Sequence, residues 1–163
     1  MDIFEFAMSR EKESEAFYRE LAGDCPNEGL SSILIRLADS ELRHQKVIEA
    51  MSSKAEPTTQ DDPFLADVKS IFKTILDRKT ALDFGVSQVE LYRKAQGFEK
   101  DSWDMYEKAA ETADSEAAKA VLNRLASQEK RHYQILDSII EMVSRPLPGG
   151  WLESAEWYHL DEY

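Results

Sequence analysis

The sequence predicts an all-α fold: a four-helix bundle made of two repeated helix pairs with one long crossover connection. Three observations carry that expectation. Residues 2–51 align with residues 90–139 without a gap, so half of the bundle is a copy of the other half. Each copy holds two apolar stripes at three- and four-residue spacing, the period of a helix with one buried face. Inside those stripes, at matched positions, stand Glu11, Glu41 and His44 in the first copy and Glu99, Glu129 and His132 in the second.

Other identities between the copies support the register: Ala7/Ala95, Lys12/Lys100, Ser14/Ser102, Tyr18/Tyr106, Arg36/Arg124, Leu37/Leu125, Ala38/Ala126 and Arg43/Arg131. A chance match would not keep both Glu-x-x-His pairs aligned.

The first helix is expected over residues 2–23, with Phe4, Ala7, Glu11, Ser14, Tyr18 and Leu21 on its inner stripe. It stops at Gly23-Asp24-Cys25-Pro26-Asn27, a cluster of breaking and capping residues. Asn27 caps the second helix, whose stripe runs Leu30, Leu34, Leu37, Glu41, His44, Ile48, Met51. The crossover covers residues 52–86. Its first part, 52–63, is polar and broken by Pro57 and Pro63, and Phe64 to Leu76 then repeats with helical spacing as a short crossover helix. Ala81 to Val86 leads into the third bundle helix, whose stripe is Tyr92, Ala95, Glu99, Ser102, Tyr106 and Ala109. Asp114 or Ser115 caps the fourth, with Ala118, Leu122, Leu125, Glu129, His132, Leu136 and Ile139 facing inward. A connection running the length of the bundle makes the second and third bundle helices parallel. The bundle domain is residues 1–144. Arg145-Pro146-Leu147-Pro148-Gly149-Gly150 ends it, and the tail 145–163 finishes in WLESAEWYHLDEY. Aromatic side chains at that density are expected to dock on the bundle or on a neighbouring subunit, with His159 in a packing role.

The glutamates and histidines occupy positions where a bundle core should carry leucine. Carboxylates are almost never fully buried without compensation, and four converging in one core would protonate or unfold it. Two divalent cations supply the missing charge. Glu and His three residues apart project from one helix face, so each Glu-x-x-His can hold one metal through imidazole and reach a second through its carboxylate. Two such helices, with one Glu from each of the other two, make a two-metal box of the kind built in ferritin-like di-iron and di-manganese proteins.

Composition sets limits around this site. With 32 acidic against 20 basic residues the net charge is −12, which argues against nucleic acid as a partner, since phosphate binding needs a basic face. The single cysteine, Cys25, rules out an internal disulfide framework and fits a reducing compartment. No stretch has the length of a membrane span, and MDIFEFAMSR lacks the regions of a signal peptide, so a cytoplasmic protein without a membrane partner is expected.

The phrases REKESEAFY with SELRH, and FEKDSWDMY with SQEKRH, resemble the rubrerythrin family over about residues 2–142. The resemblance implies a ferritin-like diiron protein that reduces hydrogen peroxide, or less readily dioxygen, as a defence against oxidative stress. It implies two iron ions, with manganese or a mixed pair as alternatives. Glu41 and Glu129 would bridge the metals, Glu11 and Glu99 would be terminal or semi-bridging, and His44 and His132 would each bind one metal. Tyr18 and Tyr106, seven residues beyond Glu11 and Glu99, would reach a carboxylate or a bound oxygen species. Many rubrerythrins carry a further glutamate one turn after the third-helix ligand and exchange it with a histidine. That position here is Ser102, with Asp101 offset by one residue. The chain also lacks the paired Cys-x-x-Cys of a rubredoxin domain, so electrons would come from a separate, rubredoxin-like donor. A homo-oligomer, in the first place a dimer, is expected. Two other readings follow from the same features: a ferritin-like protein that oxidises and stores iron, and a metal-stabilised binding module acting through its tail.

Overall fold

The computed structural model describes residues 2–57, 65–78 and 86–144, which form five α-helices and no strand. They are α1 (Ile3–Asp24), α2 (Glu28–Ser52), α3 (Leu65–Asp77), α4 (Val86–Glu111) and α5 (Glu116–Ser144). The ends follow local chemistry. Asp2 and Glu5 form a reciprocal capping box: the Glu5 N–H donates to Asp2 Oδ1 at 2.8 Å and the Asp2 N–H to Glu5 Oε2 at 3.3 Å. Asn27 Oδ1 accepts from the Leu30 N–H at 3.0 Å, the cap expected for α2. Of the two candidates before α5, Ser115 makes the capping contact, its Oγ accepting from the Ala118 N–H at 3.1 Å. The chain leaves α2 through Lys54, held at φ 58°, while the Ala55 N–H donates back to the Ala50 carbonyl at 2.9 Å.

α1–α2 and α4–α5 are the two hairpins of the duplication. Tyr18 meets Glu99 while Tyr106 meets Glu11, so α1 and α4 are antiparallel; His44 meets Glu129 while His132 meets Glu41, so α2 and α5 are antiparallel too. α2 and α4 therefore run parallel, as a bundle-length crossover requires, and the architecture is ferritin-like. α3 lies on α2 in the opposite direction, with Asp67 3.6 Å from Arg36 and Ile71 and Ile75 beside Gly29. A Cβ at Gly29 would sit 3.1 Å from Ile75 Cδ1 and 3.2 Å from Ile71 Cγ2, so the missing side chain lets α3 approach. Phe64, residues 81–85 and the tail 145–163 with His159 lie outside the described residues.

The core has two apolar regions. The larger gathers Leu30, Ile33, Leu34 and Leu37 of α2, Tyr18 and Leu21 of α1, Ile135, Leu136, Ile139, Ile140, Met142 and Val143 of α5, and Val68, Phe72, Ile75 and Leu76 of α3. The smaller holds Ala7, Val47, Ile48, Tyr106, Leu125 and Ala126. The buried Glu and His residues lie between them along the helices.

Phe72 is fully buried. Phe72→Ala is expected to lower unfolding stability by about 3–5 kcal/mol in a denaturant titration, whereas Val121→Ala, at a half-buried repeat position, should cost clearly less.

Candidate metal centre

Glu11 comes from α1, Glu41 and His44 from α2, Glu99 from α4, and Glu129 and His132 from α5. All six are at most 2% exposed. They converge as two overlapping groups: Glu11, Glu41, His44 and Glu129, then Glu41, Glu99, Glu129 and His132, each with potential ligand atoms within 4.8 Å of one another. Glu41 and Glu129 belong to both. The helical spacing supplies half of this arrangement and antiparallel packing supplies the rest.

The ring nitrogen aimed at the carboxylates is Nδ1 in both histidines, a choice invisible in sequence. His44 Nδ1 lies 3.1 Å from Glu129 Oε1, 3.4 Å from Glu11 Oε2 and 3.4 Å from Glu41 Oε2. His132 Nδ1 lies 3.1 Å from Glu41 Oε1, 3.3 Å from Glu129 Oε2 and 3.5 Å from Glu99 Oε2. The two rings stack, with centroids 5.6 Å apart and planes inclined by 13°.

The donor set fits a pair of hard divalent cations. Glu11 Oε2, Glu99 Oε2 and Glu129 Oε2 are buried without a hydrogen-bond partner, so lone pairs that water would satisfy point into the space between the helices. Four carboxylates and two imidazoles are the oxygen-rich mixture that suits iron or manganese.

Electrostatics divide the four glutamates into two classes. Burial and the neighbouring carboxylates push Glu41 and Glu129 well above the usual carboxylate range. Burial also opposes ionisation of Glu11 and Glu99, but the neighbouring protonated glutamates and a facing imidazole outweigh it and hold both at about 2. Burial disfavours the charged form of His44, yet Glu129 and Glu11 raise it well above its ordinary value. The shared pair thus binds protons where both metals would bind, while the outer pair stays ionised.

The tyrosines reach carboxylates across the repeat. Tyr18 O–H donates to Glu99 and Tyr106 O–H donates to Glu11. Two turns along one helix are about 10 Å, too far for Tyr18 to reach Glu11 laterally, but antiparallel packing sets each tyrosine opposite the other copy's glutamate. Burial raises both phenols well above their ordinary value, so they remain donors.

Sequence reasoning missed Gln128. Its Oε1 accepts from His44 Nε2 at 2.7 Å, which leaves Nδ1 as the basic nitrogen. The matched position in the first copy is Ser40, also buried but shorter. This substitution between otherwise similar Glu-x-x-His phrases was the available signal, although its meaning depends on which helix it faces. Ser102 is buried, whereas Asp101 is exposed and pairs with Arg10 at 3.3 Å, away from the centre. Cys25 lies at the α1–α2 turn, where Tyr92 O–H donates to its Sγ at 3.8 Å. Trp103 packs edge-on to Tyr133, with centroids 6.3 Å apart, and its Nε1 donates to Glu107.

Gln128→Ala should weaken metal binding about 10- to 100-fold on the His44 side, turning a metal titration into two resolved steps. The pH response of chelated protein is a second test. The raised values of Glu41, Glu129 and His44 stabilise the fold below their ordinary values, and that contribution is lost as pH rises through the folded values. The depressed Glu11 and Glu99 contribute above about 4.5, a contribution lost as pH falls toward about 2. Cations replace the shared protons, so the gain in Tm on adding metal should grow as pH rises above about 6.5, the ordinary value of the imidazole.

No helix among the described residues is long and apolar enough to cross a membrane. Comparison with curated proteins found no match, and neither did comparison with solved structures. The rubrerythrin family model matches residues 2–140, a span that contains both copies and all six converging Glu and His residues. The chain belongs to the rubrerythrin family, whose members are ferritin-like diiron proteins.

Proposed function

We propose that the chain is a diiron oxidoreductase that reduces hydrogen peroxide to water with electrons from a separate one-electron carrier. The observation that carries this reading is the pair of ligand groups sharing Glu41 and Glu129, which would place two ions side by side. Two adjacent ferrous ions supply together the two electrons that cleavage of the O–O bond consumes. Two protons complete the balance, so one hydrogen peroxide gives two waters.

In this reading Glu41 and Glu129 would be shared by both ions, Glu11 with His44 would complete one position and Glu99 with His132 the other, each histidine offering Nδ1. Tyr18 and Tyr106 hold Glu99 and Glu11 in place and keep a proton beside the reacting oxygen. The apolar regions on either side restrict water around the centre, which strengthens the attraction between carboxylates and ions. Ser102 has no carboxylate to offer, and Asp101 faces Arg10, so the reaction proceeds without the glutamate-for-histidine exchange of many relatives.

Anaerobic loading with ferrous iron, followed by stopped-flow mixing, tests the reading. Oxidation by hydrogen peroxide should be at least about tenfold faster than oxidation by dioxygen, a difference of about 1.4 kcal/mol in barrier. Preference for dioxygen, with more iron oxidised than the two sites hold, would instead identify an iron-oxidising and storing protein.

A further inference from the structure

The duplication gives the bundle two related ends, and they are finished differently. At the Tyr18 end, α3 buries Val68, Phe72, Ile75 and Leu76 in the larger apolar cluster. At the Tyr106 end the corresponding surface surrounds a cavity of about 760 Å³. Phe4, Ala7, Ile48 and Met51 contribute one wall, and Val121 and Leu122 another. The repeat even enlarges it: Leu21 and Leu30 of the first copy become Ala109 and Ala118, both of which line the cavity.

None of the six Glu and His residues lines the cavity, which meets the surroundings of the metal centre at Tyr106. Tyr106 lines it and donates to Glu11. Ala7 precedes Glu11 by one helical turn, and Ile48 follows His44 by one, so the walls approach the ligands to about 6 Å along each helix. The charged lining residues are Lys54, Glu56 and Asp114, one cation against two carboxylates, a set that disfavours an anionic ligand. The volume lies in the range of small-molecule sites and far exceeds what hydrogen peroxide fills.

Resting on the peroxide-reducing function proposed above, we infer that this cavity binds the aliphatic chain of a neutral organic hydroperoxide and directs its O–O group past Tyr106 toward Glu11. Reduction breaks that O–O bond, consumes two electrons from the metal pair and two protons, and yields one alcohol and one water. The external one-electron carrier restores the electrons.

Two measurements on the full chain test the inference. Zinc-loaded, redox-inert protein should bind octanol saturably in calorimetry, and Ala118→Phe and Val121→Trp should each weaken that binding at least about tenfold. With iron loaded, the same variants should lower the ratio of octyl hydroperoxide turnover to hydrogen peroxide turnover by at least about tenfold. Absence of octanol binding by the unaltered chain, or an unchanged ratio in both variants, overturns the inference. So does a dimer that Ala118→Phe converts to monomer, or octanol binding gained on ending the chain at residue 144, since either shows the cavity covered by protein. Hydrogen peroxide turnover without octyl hydroperoxide turnover defeats this inference alone; no reaction with either peroxide defeats the proposed function as well.

Discussion

Burial of four carboxylates in one layer of the core is the constraint on which the rest of this structure depends. Glu11, Glu41, Glu99 and Glu129 are each 1% exposed, and uncompensated charge at that depth costs more than a bundle of this size can supply. Protons provide one compensation and divalent cations another. Protonation neutralises Glu41 and Glu129 but leaves carboxylate oxygens without partners. Cations satisfy those oxygens as well as the charge, which links metal binding to folding. The apolar regions on either side exclude water, and the tyrosines and Gln128 hold donors in fixed orientations, so the surrounding core serves this polar layer.

Much of this was legible because the duplication writes the same constraint twice. A stripe reading Leu34, Leu37, Glu41, His44, Ile48 contains its own anomaly, and its recurrence at Leu122, Leu125, Glu129, His132, Leu136 excludes accident. Helix ends followed from capping chemistry at Asn27 and Ser115, although the Asp2–Glu5 box at the first helix escaped notice. Contacts between helices were less accessible. The crossed pairs Tyr18–Glu99 and Tyr106–Glu11 depend on the antiparallel sense of α1 and α4, so a one-helix view shows that each tyrosine can reach a carboxylate but not which one. The hold of Gln128 on His44 is likewise a fact of α2 against α5.

Duplication explains the symmetry of the centre, and departures from it distinguish the two halves. Gln128, which holds His44, stands where the first copy has Ser40, so the repeat does not reproduce that side chain. The insertion that carries α3 covers one end of the bundle, and leucine-to-alanine differences open the other. One end of the bundle is therefore closed by apolar packing and the other is open, with the shared ligands between them.

Mössbauer spectroscopy with chemical iron analysis, on protein loaded with ferrous iron and then oxidised, tests the central claim most directly. The account predicts two irons per chain in one antiferromagnetically coupled ferric pair, because Glu41 and Glu129 serve both ligand groups. One iron per chain, or two magnetically isolated ions, would contradict it and leave the buried carboxylates with some other source of compensation.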